Sequence, residues 1–561
     1  MEALNLICVL LYLALILWTL AKVLREPTPE TALARGWDRP LSRRGAVLLW
    51  ILVLCGCLLR LWRFGSVPAG INQDEAMAAV DALALAHYGT DRLGMRLPAH
   101  FTAWAFGQMS VLLSYCMVPF FRLFGMDPVT VRLPSLLWSL GGMAALYFFL
   151  RRLISPRAAL IGLLAAALCP WHFMQSRWSL DCNLFPHVFL IGFALLWRGL
   201  KKPWALFVSM VFFSLCMYSY GLAFLSVPLF LLLACILLLA SRRVRPGQVL
   251  LCALIYLGLS FPIIGTMLIN AMGWKTVELP FVTMAYFPES IRANDLVFFS
   301  DAPLEQLRLN FRELLNAGFS LGPDLTWNAI DGFGTLYLCS WPLLLLGLAL
   351  SLRRAFRSPG PRRRLGYRLL LLYWLCALVT GLCVNGVNVN RINILFYANL
   401  LFVVLGIHAL TALRPVSARP LLASFLLLSS LFFFQYFGPW AQRISVSFYA
   451  DFLSAVDDAG SRDFDVLYIT PDVQFTGSRQ TSEILTVYQL QLDAAYTQGK
   501  TNDPAPYRER FVYRNLTEED LNAPRERACW VLKSSQLPES LPPGWSLRSF
   551  GSYAELFYLG G

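Results

Sequence analysis

Apolar stretches of about 20 residues recur along this chain, and no other feature constrains its fold as strongly. A helix crossing roughly 30 Å of hydrocarbon needs about 20 mainly apolar residues, because its backbone groups find no water to bond. About twelve such stretches run near residues 3–21, 45–63, 131–150, 157–172, 184–199, 204–220, 222–240, 248–269, 334–352, 366–383, 394–412 and 419–438. With 57% hydrophobic residues, 14% charged residues and a mean hydropathy of +0.56, an ordinary soluble domain is excluded. The expected class is an all-α polytopic membrane bundle with about twelve transmembrane helices.

Basic residues give the orientation, since short cytoplasmic loops are enriched in Lys and Arg. The rich loops fall at alternate connections. They are 22–44 (Lys22, Arg25, Arg35, Arg39, Arg43, Arg44), 151–157, 198–202, 242–245, 353–368 with seven Arg, and 414–419. They hold roughly half of the 47 Lys and Arg, so the net charge of +13 is mostly a topology signal and nucleic acid is not an expected partner. With those loops inside, the loops 64–130 and 270–332 and the C-terminal tail lie outside. A crossing at the apolar segment 107–124 would put Arg151 and Arg152 outside, so a helix lying at the outer interface is expected there.

Met1-Glu2-Ala3 lacks a positive n-region and no small-residue cleavage site follows, so the first apolar run reads as a retained helix. Three domains result: an extra N-terminal helix and cytoplasmic loop over 1–44, a transmembrane domain over 45–438, and a small extracytoplasmic α/β domain over 439–561. In the last, 448–459 and 482–495 read as helices and 466–470, 511–513 and 530–533 as strands. Of 13 Cys, only Cys529 stands in the tail and the rest lie in or near apolar stretches. No disulfide framework or zinc spacing is indicated.

Chemistry enters with Asn72-Gln73-Asp74-Glu75, a few residues beyond the second apolar stretch. Asn72 followed three positions later by Glu75 fits a capping box, which gives Glu75 a structural explanation. Asp74 has none, and a helix opening there projects its carboxylate toward whatever sits above the membrane.

That run, continuing Ala76-Met77-Ala78-Ala79 after a membrane helix, is followed by Val131-Arg132-Leu133-Pro134-Ser135 at the start of the next span. Further on come Arg151-Arg152-Leu153, Pro170-Trp171-His172-Phe173-Met174-Gln175-Ser176-Arg177 and Asn390-Arg391-Ile392-Asn393. Over roughly residues 45 to 440 the chain resembles glycosyltransferases of the C-type membrane fold (GT-C). Within them it is similar to the bacterial protein O-mannosyltransferase and lipid A aminoarabinose transferase group. Two departures stand out. The group's Lys/His-Pro-Pro-Leu segment is replaced by Pro98-Ala99-His100-Phe101-Thr102-Ala103-Trp104, and the Trp-Trp-Asp motif of oligosaccharyltransferases is missing. The second departure argues against an Asn acceptor and leaves glycan, lipid or protein hydroxyls open.

The resemblance implies a GT-C bundle with external juxtamembrane helices, working at the bilayer surface on a polyprenyl-phosphate sugar donor. An enzyme outside the cytoplasm has no access to nucleotide sugars, so its donor arrives on a flipped lipid phosphate. Transfer needs a base for the acceptor hydroxyl and a cation for the departing phosphate. Asp74, with Glu75 beside it, is the catalytic candidate, and displacement from behind the anomeric carbon inverts its configuration. Arg177 and Arg391 are the phosphate candidates, because a planar guanidinium pairs with phosphate oxygens. His172 and Lys275 are weaker ones. Each competes with the reading of an interfacial or snorkelling side chain.

Asp181 is the one further acid that could join Asp74 around a divalent cation, as in oligosaccharyltransferases. Two acids make a thin ligand set, and no cofactor is expected to be required. Trp274 and Trp327 are acceptor-side stacking candidates against the reading of an aromatic belt. Two other classes remain. A lipid-linked glycan flippase should show inverted repeats and midplane charges, which are not detected. An O-antigen-type ligase or polymerase would not need the acid pair.

Overall fold

The computed structural model describes residues 1–25, 40–104, 107–288, 297, 301–319, 324–358, 360–474, 477–498 and 505–559. Arg35 and Arg39 of the expected inner loop lie outside them. Among the described residues, ten helices are long and apolar enough to cross a membrane, so the chain is a multi-pass membrane protein. They are Glu2–Ala21, Arg43–Leu61, Pro128–Leu153, Asp181–Gly199, Ala223–Ala240, Pro246–Met272, Leu338–Arg357, Pro361–Leu382, Ile394–Leu413 and Pro415–Phe437.

The two other expected segments are helices Pro156–Leu168 and Pro203–Met217, of 13 and 15 residues. At 1.5 Å per residue each reaches only about 20 Å. The expected 157–172 stretch is interrupted because Cys169, preceding a proline, is extended at φ −70°, ψ 125°, and a separate helix Pro170–Gln175 starts after it. The segment expected at the interface forms strand Gly107–Met109, paired with Phe101–Ala103, and then helix Leu112–Phe124.

The chain divides into two compact units. The first comprises Met1–Phe64, Ser135–Gly265 and Ile291–Phe437. Its centre is Ile394–Leu413, almost wholly buried. Leu338–Arg357 packs on this helix at backbone contact distance. A Cβ on Gly347 would stand 1.8 Å from the Phe402 carbonyl oxygen, and one on Gly406 would stand 2.1 Å from that of Leu343. Small residues at such a crossing let dispersion forces between helices replace the missing hydrophobic drive.

The second unit comprises Gly65–Pro134, Thr266–Ser290 and Gly438–Gly561. It gathers two sequence-distant segments with the tail. Its five-stranded sheet runs, edge to edge, Phe511–Tyr513, Val466–Ile469, Ala528–Lys533, Tyr553–Tyr558, Trp545–Phe550. The first three strands are parallel and the last two antiparallel, with Leu467 opposite Cys529 and Val531 opposite Glu555. Helices Ala450–Ser461 and Arg479–Gln489 accompany it, completing the expected α/β character.

Candidate active site

The helix Gln73–Tyr88 opens on the capping box that its sequence spells. The Asn72 side chain accepts from the Asp74 N–H at 3.0 Å, and the Glu75 carboxylate accepts from the Asn72 N–H at 3.4 Å. The Tyr449 hydroxyl donates to the Gln73 side chain at 2.8 Å and fixes the same turn. An acid in this first turn sits where the helix dipole favours negative charge.

Glu75 is fully buried and spoken for. The Arg132 Nε donates to Oε1 at 3.0 Å and its Nη2 to Oε2 at 3.2 Å. The same guanidinium donates to the carbonyls of Gly65, Pro68 and Gly70 at 3.0, 2.7 and 2.7 Å. The expected catalytic pair is thereby revised. Its two acids differ in kind, because Glu75 is enclosed by the groups that hold the 65–72 loop and has no approach for a substrate proton. Asp74 is half-buried, and its Oδ1 accepts from the Trp104 indole N–H at 3.0 Å. Trp104 holds φ of +44°, a left-handed conformation that is rare for a bulky residue and costs about 1–3 kcal/mol. It belongs to the segment that departs from the Lys/His-Pro-Pro-Leu pattern.

One helical turn and more along, Asp81 is buried against Arg92, whose Nη1 donates to Oδ2 at 2.5 Å and whose backbone N–H donates to Oδ1 at 3.0 Å. Burial pushes the Asp81 carboxyl up to about 6, in spite of the guanidinium beside it. The Arg92 Nη2 also donates to the Thr102 carbonyl at 2.6 Å, so the loop before Trp104 is tied down.

Lys275 and Trp274 also belong to the second unit, as exposed residues in the turn after helix Pro246–Met272. The other candidates belong to the first unit. Arg177 is fully buried and donates to the carbonyls at the end of helix Arg43–Leu61: Leu59 at 3.2 Å, Arg60, Trp62 at 2.8 Å and Arg63 at 3.1 Å. Its Nε donates to the Tyr436 hydroxyl at 3.2 Å. A phosphate could reach it only by displacing these acceptors, so the geometry makes it a helix cap and corrects the expected phosphate role.

His172 is equally enclosed. Its Nδ1 lies 3.2 Å from Arg60 Nη2 and its Nε2 lies 2.8 Å from the Tyr397 hydroxyl, which also lies 2.9 Å from His187 Nδ1. This buried polar network replaces the expected site at a helix end, and Arg60, His187 and Tyr397 were not singled out by sequence.

Arg391 is half-buried in the turn 383–393, where its Nη1 donates to the Asn385 carbonyl. Acids anchor that turn: Glu313 accepts from the Val387 N–H at 3.1 Å and Asp324 from the Val389 N–H at 3.0 Å. Trp327 is half-buried, edge-on to the buried Trp178 at 6.5 Å. Asp181, at the start of its helix, accepts from the Cys182 N–H at 2.7 Å. Among the described residues no three His, Cys, Asp or Glu side chains come together to hold a metal ion.

Comparison with known proteins supplies the class. Residues 109–265 match the family described as dolichyl-phosphate-mannose-protein mannosyltransferase. ArnT from Cupriavidus metallidurans, solved bound to undecaprenyl phosphate, is similar over 91% of this chain and 97% of its own, at 14% identity and a TM-score of 0.54. The oligosaccharyltransferase of Archaeoglobus fulgidus aligns over 79% of this chain and 64% of its own, at 12% identity and a TM-score of 0.47. No curated protein sequence matches. The bundle of long apolar helices with a small sheet-bearing unit is the GT-C architecture. The mannosyltransferase match lies within this fold, over residues 109–265, so the chain is similar to membrane glycosyltransferases of the GT-C type.

Proposed function

We propose that the chain moves a sugar from a polyprenyl-phosphate carrier to a hydroxyl of a glycan, lipid or protein on the extracytoplasmic side of a bacterial plasma membrane. The observation that carries this reading is the contrast between the two neighbouring acids: Glu75 is locked by Arg132, while Asp74 is half-buried and aimed by a strained tryptophan. The likeness to a protein solved with undecaprenyl phosphate supports the carrier. The basic loops support the orientation.

In the proposed step Asp74 takes the proton of the acceptor hydroxyl and the freed oxygen bonds to the anomeric carbon from behind. The bond from that carbon to the phosphate oxygen breaks, and polyprenyl phosphate leaves with the electron pair. The product has inverted configuration. Lys275, an exposed cation of the same unit as Asp74, meets the phosphate charge as it develops. Arg391 of the first unit is the other cation proposed to bind phosphate.

The test is mass spectrometry of lipid-linked sugars and envelope glycans in cells with the protein, without it, and with Asp74→Asn. Loss of the protein should accumulate one polyprenyl-phosphate sugar. Asp74→Asn should do the same at normal protein level, with transfer lowered about 10²- to 10⁴-fold. Transfer at the normal rate by Asp74→Asn would remove Asp74 from the chemistry and the reading with it.

A further inference from the structure

A cavity of about 240 Å³ lies inside the second unit, and nothing in the proposed step yet uses it. Its apolar wall is Met77 and Val80 from helix Gln73–Tyr88 with Ile484 and Val487 from helix Arg479–Gln489, all four buried. Asp74, Met77 and Val80 are spaced three apart along one helix, so they share a face and the carboxylate stands about one turn beyond the cavity wall. Trp104 also lines the cavity, and its indole N–H holds Asp74 Oδ1.

We infer that this cavity is a subsite for one pyranose ring of the acceptor, built jointly by the helix that carries Asp74 and the C-terminal helix Arg479–Gln489. The inference rests on the proposed transfer reaction and deepens it. The size suits a single sugar ring, since the volume falls below the roughly 300–1,000 Å³ of pockets for drug-sized ligands. The chemistry is two-sided, as a sugar is. An indole and four aliphatic side chains meet the C–H face of a ring, while Arg92, Gln480, Glu483 and Thr497 offer donors and acceptors to its hydroxyls.

Arg92 on the polar side is already fixed in position. The Asp81 carboxylate and the Thr102 carbonyl hold the Arg92 guanidinium, and the Thr497 hydroxyl donates to the Arg92 carbonyl at 3.4 Å. Preorganised donors spare a ligand the ordering that weakens binding. A lipid-tethered donor is the poorer occupant, because none of the lining residues belongs to a helix long enough to span the membrane. The backbone strain at Trp104 fits a residue whose placement serves a ligand on one side and the base on the other.

The test titrates methyl hexopyranosides and methyl pentopyranosides against the full-length protein in nanodiscs by saturation-transfer NMR, using wild type, Asp74→Asn, Val487→Trp and Gln480→Ala. At least one glycoside should bind wild type and Asp74→Asn alike, and binding should weaken at least tenfold in Val487→Trp, which fills the cavity, and in Gln480→Ala. In transfer assays with lipid-linked sugar from cells lacking the protein, those two variants should raise the acceptor KM and leave the donor KM in place. Unchanged binding in both cavity variants, no binding of any glycoside to wild type, or a shift of the donor KM instead would overturn the subsite. Should Asp74→Asn retain full transfer while Val487→Trp abolishes glycoside binding, the base assignment fails and the subsite stands.

Discussion

Replacing Glu75 by Gln tests whether the two adjacent acids have separate jobs. Glutamine keeps the shape that caps Asn72 but removes the charge facing Arg132, which is itself fully buried and donates to Glu75 twice and to three backbone carbonyls. Breaking one partner of a buried ion pair costs about 3–5 kcal/mol, because the survivor keeps its charge without compensation. Three backbone carbonyls still face the guanidinium here, so the lower end, about 3 kcal/mol, is expected. Arg132→Met additionally strips those carbonyls at about 1 kcal/mol or more each, reaching the order of 6 kcal/mol, a large share of the 5–15 kcal/mol that holds a typical domain together.

The assay is thermal unfolding of purified protein in nanodiscs, with transfer measured per folded molecule. Glu75→Gln should melt early yet transfer within about tenfold of wild type. The double variant should lose less than the two single losses added, by about 1–3 kcal/mol, since the two side chains are one interaction. Asp74→Asn should show the reverse pattern, melting normally and transferring poorly. If Glu75→Gln melts like wild type and abolishes transfer, the positioning role assigned to Glu75 is wrong.

Other perturbations read other parts of the structure. Glu555 is buried beside Asp458 and Arg462 in the second unit, and burial pushes its carboxyl up to about 7, with Asp458 adding to the effect. A carboxyl that holds its proton longer folded than unfolded favours folding at low pH, and this contribution is lost as pH rises from about 4 through 7. Glu555→Gln should therefore raise the melting temperature over wild type at pH 8 and change it little at pH 4, by differential scanning fluorimetry at the two pH values. Arg177→Lys should destabilise by about 3 kcal/mol, because an ammonium cannot cover the carbonyls of Leu59, Arg60, Trp62 and Arg63 together. Thermal unfolding measures this, and an unaltered melt with a raised donor KM would return Arg177 to the phosphate. Gly347→Leu drives a side chain into the Phe402 carbonyl and should cost 3 kcal/mol or more, seen as lost folded yield on size-exclusion chromatography.

Much of the bundle was legible because hydrocarbon thickness imposes a length that sequence displays directly. The two segments that came out short, Pro156–Leu168 and Pro203–Met217, each start at a proline, and Pro170 follows the first, a local cue that average hydropathy hides. In the small sheet, 511–513 was readable from its aromatic and β-branched residues. Strands Trp545–Phe550 and Tyr553–Tyr558 were not, since Arg548 and Glu555 interrupt their apolar pattern, and only the burial of Glu555 in three dimensions explains its presence.

The site divides in the same way. Asn72, Asp74 and Glu75 are neighbours in sequence, so their cap could be reasoned locally, whereas the burial of Glu75 could not. Arg132 is 57 residues from Glu75 and Trp104 is 30 from Asp74, and nothing in the local pattern announces either partnership. Arg177 and His172 misled for a related reason. A cation near a helix end looks the same in sequence whether it faces a ligand or the carbonyls of a neighbouring helix.

The cap that Arg177 places on helix Arg43–Leu61 also orders events during synthesis. The carbonyl of Trp62 waits for a guanidinium encoded 115 residues later. At about 5–20 residues per second the ribosome needs roughly 6–23 s to deliver it. Through that interval the helix has emerged and can insert, yet its last turn depends on water or lipid headgroups for hydrogen bonds. The early helix is thus held provisionally, and its C-terminal end is sealed only when the chain around Arg177 arrives.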